Sequence, residues 1–227
     1  MQGWSSRFFA PNKGVDLLNP FVGYWAGSGD YGETAANIQT LVDISGNGRN
    51  ASQATASLQP QFTPDEIPYF LLMNHQVVPL PITPADMNGR DWSVYFRVMN
   101  TGGGSSMEPV FSGGVNAANQ AFSVLLYGSN PSYAQHTTGY TISSKTVSVN
   151  AYSDILFTHT VSGQNIIYVD DGVNSSSYVA LNIGASSITL GKWNLQTTWG
   201  VAYKINRFAF WQRIVTADEF ARLRMEE

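Results

Sequence analysis

The chain of 227 residues contains no cysteine, which excludes disulfides, thiolate metal sites and a cysteine nucleophile and leaves packing alone to hold the fold. Charge is also scarce. Asp, Glu, Lys and Arg make up 12% of the residues, against about 25% in an ordinary domain. With a net charge of −4 and no basic cluster, the electrostatic attraction that drives phosphate-backbone binding is missing, so nucleic acid is not an expected partner. No run of about 18 apolar residues occurs, and the opening MQGWSSRFFAPNKG lacks a cationic region followed by a long apolar stretch. Neither membrane insertion nor an export signal is expected. His75, His136 and His159 are too few and too scattered for an HExxH-type metal motif, and no Gly-x-Ser-x-Gly elbow supplies a serine nucleophile. The glycine runs at 102–104 and 113–114 lead into no helix with a Lys-Ser/Thr pair, which argues against a phosphate cradle.

What is abundant is Gly, Ser, Thr and Asn, a composition that gives a neutral polar surface suited to sugars and to assembly contacts. The length fits one well-buried all-β domain. From Trp92 onward the chain reads as strands: WSVYFRVM, AFSVLLYG, DILFTHTV, NIIYVDDG, SITLG and INRFAFWQR. Each is short, rich in β-branched or aromatic residues and bounded by Gly, Asn or Ser. In the last of these, Phe208 and Phe210 alternate with Ala209 and Trp211, so both of its faces are expected to be covered. Asp171-Gly172 is a tight-hairpin pair. Thr216 with Glu219 forms a capping box that predicts a short closing helix with Phe220 and Leu223 on its apolar edge. Residues 1–22 read as an irregular apolar arm, interrupted by Pro11, Gly14 and Pro20.

The segment LVDISGNGRNAS, 41–52, carries Asp43, Ser45 and Asn47 at alternate positions, with Gly46 and Gly48 permitting positive backbone angles. An EF-hand loop is excluded because its bidentate glutamate would fall on Ala54 and no helical pattern flanks it. Two readings stay open: the oxygens wrap a hard cation, or they satisfy backbone amides in a surface turn.

Taken with the loop 43–48, the strand Asp91–Val98, the hairpin Phe157–Gly172, the strand Ile188–Gly191 and the closing strand and helix Gly200–Leu223, the sequence resembles the laminin-G-like branch of the concanavalin A-like lectin and glucanase superfamily. The resemblance implies an all-β, two-sheet antiparallel jelly-roll sandwich over residues 23–227, preceded by the arm 1–22. It also implies a structural calcium ion held by Asp43, Asn47 and Asn206. Asn206 stands where relatives frequently carry an aspartate, which weakens that expectation, and the hairpin carries an additional aspartate at Asp170.

The acidic pairs Asp65-Glu66, Asp170-Asp171, Asp218-Glu219 and Glu226-Glu227 are sequence neighbours in turns or at the tail. Neighbours on a strand point to opposite faces, and no glucanase-type Glu-x-Asp-x-x-Glu pattern is present. A non-enzymatic protein is therefore expected. A sugar site needs aromatic faces beside amides or hydroxyls. The candidates are Tyr127, Tyr133, His136 and Tyr140 in one loop region and Trp193, Asn194 and Trp199 in another. The expectation is a virion-surface structural protein, a capsid decoration or tail component, made without a signal peptide. It would be homo-oligomeric, in contact with other virion proteins and able to bind cell-surface glycans. The alternatives are a free-standing carbohydrate-binding lectin module and a glycoside hydrolase.

Overall fold

Short β-branched and aromatic runs become strands in a computed structural model. It describes residues 19–28, 31–32, 34–72, 76–101, 107–115, 120–127, 129–135, 139–142, 144–177, 181–191 and 203–225. Among these the strands are β1 (Val22–Trp25), β2 (Ala36–Asn37), β3 (Thr40–Leu41), β4 (Ala51–Ser52), β5 (Gln61–Thr63), β6 (Tyr69–Leu72), β7 (Val77–Pro79), β8 (Trp92–Asn100), β9 (Met107–Gly114), β10 (Ala121–Tyr127), β11 (Asn130–Gln135), β12 (Gly139–Ile142), β13 (Tyr152–His159), β14 (Gln164–Val169), β15 (Gly172–Ser177), β16 (Thr189–Gly191) and β17 (Tyr203–Trp211). A one-turn helix α1 (Pro84–Met87) follows β7, and α2 (Ala217–Met225) follows β17. Of the expected arm, residues 1–18 lie outside the described residues. Phe21 at its end donates its N–H to the Phe210 carbonyl at 2.8 Å.

Two antiparallel sheets form the sandwich. The nine-stranded sheet has the order β15-β14-β13-β8-β17-β6-β5-β2, with β1 also on β17, and the six-stranded sheet has the order β12-β11-β10-β9-β16-β7. One edge of β17 is shared by two partners: β6 pairs with Tyr203–Ile205 and β1 with Arg207–Phe210. The register shifts at this handover, between Ile205 and Arg207, which makes Asn206 the residue of a β-bulge.

The inner faces meet in an aromatic core. Trp92 on β8 lies 5.2 to 6.2 Å, ring to ring, from Phe111, Phe122, Phe157 and Phe210. Phe111 also packs on Phe208 across the sandwich at 5.9 Å. Each such buried ring contributes roughly 1.5–3 kcal/mol relative to exposure. As expected, β17 is covered on both faces. Phe208 and Phe210 enter this core, while Ala209 and Trp211 join Tyr95, Leu156, Val215, Phe220 and Leu223 in a second cluster beneath α2. The capping box forms: Glu219 accepts the Thr216 N–H at 2.8 Å and donates its own N–H to the Thr216 hydroxyl at 3.3 Å.

At the hairpin between β14 and β15 the turn falls one residue earlier than Asp171-Gly172 suggests. Val169 already pairs with Gly172, and Asp170 takes the left-handed conformation at φ 48°. Gly172 is needed for a different reason. A Cβ there would lie 2.3 Å from the Lys145 side chain, so the glycine makes room for that stem.

His159 sits in the core, stacked on Trp92 at 5.1 Å, with its Nδ1 2.6 Å from the Asn165 Oδ1. Burial holds its pKa below the ordinary histidine value, against the opposing pull of the Asn165 hydrogen bond. The folded state therefore keeps the ring neutral while the unfolded chain takes up a proton below about pH 6.5. Stability from this site is complete above that pH and declines between it and the depressed folded-state value. His159→Gln is expected to flatten the acid side of a melting-temperature profile between pH 7 and 5. An unchanged slope in that variant would remove His159 as its source.

Candidate groove on the outer face of the nine-stranded sheet

On the outer face of the nine-stranded sheet, cross-strand register sorts side chains into rows. One row, Ala209–Tyr95–Leu156–Tyr168, lies under α2. The next is Trp25–Arg207–Arg97–Asp154. The Tyr95 hydroxyl donates to Asp154 Oδ1 at 2.5 Å, and the Arg207 guanidinium lies 5.0 Å from the Trp25 ring. Burial raises the Asp154 pKa, and the Tyr95 hydrogen bond and Arg97 oppose it. Arg224 on α2 donates to the Asp170 carbonyl at 2.8 Å and to Asp171 Oδ1 at 2.7 Å, fastening the helix to the hairpin.

The following row, Lys204–Met99–Tyr152, is not covered by α2. It forms the floor of a groove of about 360 Å³, a size within the range of small-ligand sites. Tyr69, at the start of β6, supplies a second aromatic wall, with the Lys204 ammonium 4.1 Å from its ring centroid. The turn between β5 and β6 places the exposed Asp65 and Glu66 at the rim, where Asp65 Oδ1 accepts the Glu66 N–H at 3.0 Å. Asn150, in the left-handed conformation at φ 58°, forms the opposite rim and donates its N–H to Asn100 at 2.8 Å. The Tyr152 hydroxyl is screened from solvent and has no hydrogen-bond partner among the described residues. Its pKa is raised by burial first and by the neighbouring Tyr69 phenol second, against Arg97. The groove thus pairs two phenol rings with carboxylate, amide and ammonium groups, the mixture that recognises a polyhydroxylated ring.

His136, Trp193, Asn194 and Trp199 lie outside the described residues, and so do the side chains of Tyr127 and Tyr140. Tyr133 is corrected. It is fully buried, stacked on Phe157 at 4.7 Å, with its hydroxyl donating to Gln135 at 3.4 Å. It points inward because it pairs with Val124 of β10 and shares that residue's core-facing side.

The proposed calcium ligands are also placed differently. Asp43 Oδ1 accepts the N–H groups of Gly23 and Ser45 at 2.9 and 3.1 Å. Its Oδ2 accepts the Ser45 hydroxyl at 2.7 Å and the Arg49 N–H at 2.9 Å. Asn47 donates its amide to the Pro20 and Phe21 carbonyls, both at 3.1 Å. Asn206, the bulge residue, is buried and donates to the Pro68 carbonyl at 2.7 Å. Four donors already point at the one carboxylate of the set, so these residues do not fit a calcium ion in this arrangement. They tie the loop to β1 instead. Gly46 and Gly48 do carry the positive φ expected of them, 84° and 67°. Among the described residues no group of three or more His, Cys, Asp or Glu side chains could hold a metal ion, and no helix is long and apolar enough to cross a membrane.

No protein-family model and no curated protein matches this sequence. Solved structures with the same fold do. A botulinum neurotoxin serotype G binding domain superposes with a TM-score of 0.65 at 15% identity over 91% of this chain and 50% of its own. The serotype D ligand-binding domain in complex with N-acetylneuraminic acid gives 0.62 at 13% identity, over 92% of this chain and 52% of its own. A Trypanosoma rangeli sialidase in complex with sialic acid gives 0.63 at 10% identity over 89% and 32%. The chain spans about half the length of the neurotoxin domains and about a third of the sialidase. At these identities the likeness establishes a β-sandwich fold and not a shared ligand.

Proposed function

We propose that this chain is a non-catalytic, lectin-like sandwich that takes a saccharide in the groove between Tyr69 and Tyr152. The observation that carries this reading is the groove itself: two aromatic walls, an uncovered floor row and a rim of Asp65, Glu66 and Asn150. Neighbours described as binding domains, one of them in complex with N-acetylneuraminic acid, support a binding role. The ligand in such a name belongs to a protein about half of which has no counterpart here. A glycoside hydrolase is disfavoured because the groove's carboxylates, Asp65 and Glu66, are neighbours on one exposed turn rather than groups flanking a bond from opposite sides.

The reading extends to context. A domain with a neutral polar surface and a glycan groove suits the outside of a particle, and we place it on a virion surface, as a capsid decoration or tail component acting as a homo-oligomer. The supports are composition and fold alone.

The test is a broad glycan array probed with the wild-type protein and with Tyr69→Ala/Tyr152→Ala. Both changes truncate half-buried side chains on the outer face, so the variant is expected to remain folded. Retention should fall at least about tenfold, the loss of roughly 1.4 kcal/mol, and the bound oligosaccharide should be recovered uncut. Equal retention by the variant would remove the groove, and release of new reducing ends would replace the lectin reading with an enzymatic one.

A further inference from the structure

We infer that the groove is charge-selective, favouring amine-bearing and neutral sugars and rejecting acidic ones; this rests on the reading of the groove as a saccharide site. Among the described residues the acidic and basic side chains of its rim and floor are Asp65, Glu66 and Lys204. Two carboxylates against one ammonium leave a net negative charge. Among the described residues none of the three is ion-paired, so the carboxylates are available to an incoming group. Lys204 shows what the site accommodates, since its ammonium lies 4.1 Å over the Tyr69 ring, in the position of a cation held by an aromatic face. A sugar ammonium entering from the rim would meet Asp65 and Glu66, while sugar hydroxyls could donate to the same carboxylates. A sugar carboxylate would meet them as like charges. Arg97 approaches the Tyr152 ring, 5.8 Å from its centroid, from the neighbouring row, where Asp154 faces it in register.

The selectivity predicted here runs against acidic sugars such as N-acetylneuraminic acid, the ligand named for one structural neighbour. Flexible Lys204, on an unbranched stem with no ion pair to hold it, can move aside as a ligand settles on Tyr69.

Calorimetric titration at low salt with three matched probes tests this: a glucosamine trimer, an N-acetylglucosamine trimer and a galacturonate trimer, with sialyllactose as a second acidic probe. The glucosamine trimer should bind at least about tenfold more tightly than either acidic probe, with the neutral trimer between them. Salt at 0.5 M should shrink the spread, because exposed charges are screened. Asp65→Asn/Glu66→Gln should abolish it, bringing the glucosamine and galacturonate trimers to within about twofold of each other. Both positions are exposed, so that variant is not expected to affect folding. Equal or tighter binding of an acidic probe, lost in Tyr69→Ala/Tyr152→Ala, would overturn the charge selectivity and keep the saccharide site. A spread that survives Asp65→Asn/Glu66→Gln would also overturn it. Absence of binding by all four probes would overturn the saccharide site and this inference together.

Discussion

Trp92→Ala is expected to cost about 3–5 kcal/mol, the range for deleting a large buried aromatic, out of a total stability of about 5–15 kcal/mol for a domain. The indole is fully buried and packs against rings from both sheets: Phe157 and Phe210 on its own, Phe111 and Phe122 on the other. With no disulfide to hold the layers, the cavity left by alanine opens at the contact that joins them. Trp92→Phe is expected to be far milder. The indole N–H has no hydrogen-bond partner among the described residues, and removing such a buried donor offsets part of the lost volume. Urea unfolding should show a large drop in midpoint for alanine and a small one for phenylalanine, with slopes unchanged. Equal losses for the two variants would mean that the packing at Trp92 is not what joins the sheets.

Asp43→Ala is expected to destabilise the protein by about 2–3 kcal/mol, while calcium and chelators leave the melting temperature unchanged. The carboxylate accepts four hydrogen bonds, one of them from Gly23 of β1. Its loss strands three backbone N–H groups, each at a cost of about 1–3 kcal/mol where buried and less where water reaches. β1 in turn holds one edge of β17, with Tyr24 stacked on Phe208 at 5.7 Å, so loosening the loop loosens a central strand. Asp43→Asn should recover only part of the loss, because an amide NH₂ would face the Ser45 and Arg49 donors. A melting temperature that rises with calcium in the wild type and not in Asp43→Asn would contradict this account, since only a ligand of the native state raises it.

The strands were legible because β-branched and aromatic runs bounded by Gly, Asn and Ser state their own limits, and the closing helix because Thr216 and Glu219 announce its start. The groove was not. Tyr69, Met99, Tyr152 and Lys204 come from four strands, and only the pairing register, a product of non-local contacts, aligns them in one place. The single local signal was Asp65-Glu66 between Pro64 and Pro68, an acidic turn that reads as ordinary surface. Tyr133 misled for a related reason. Its polar neighbours suggest a loop, yet β11 pairs with β10 and turns the ring into the core. The family resemblance suggests a metal ligand at Asn206, but the change of partner along β17 makes it a bulge residue that donates to the Pro68 carbonyl. Spacing along a chain does not reveal a bulge until both partners of the strand are known.

The most direct measurement is amide chemical-shift mapping of the isotopically labelled protein, titrated with the oligosaccharide best retained on the array. The account predicts shifts concentrated at 65–69, 99, 150–152 and 204, absent in Tyr69→Ala/Tyr152→Ala. Shifts confined to 127–140 and 192–200 would contradict it and place the binding face on the loops instead.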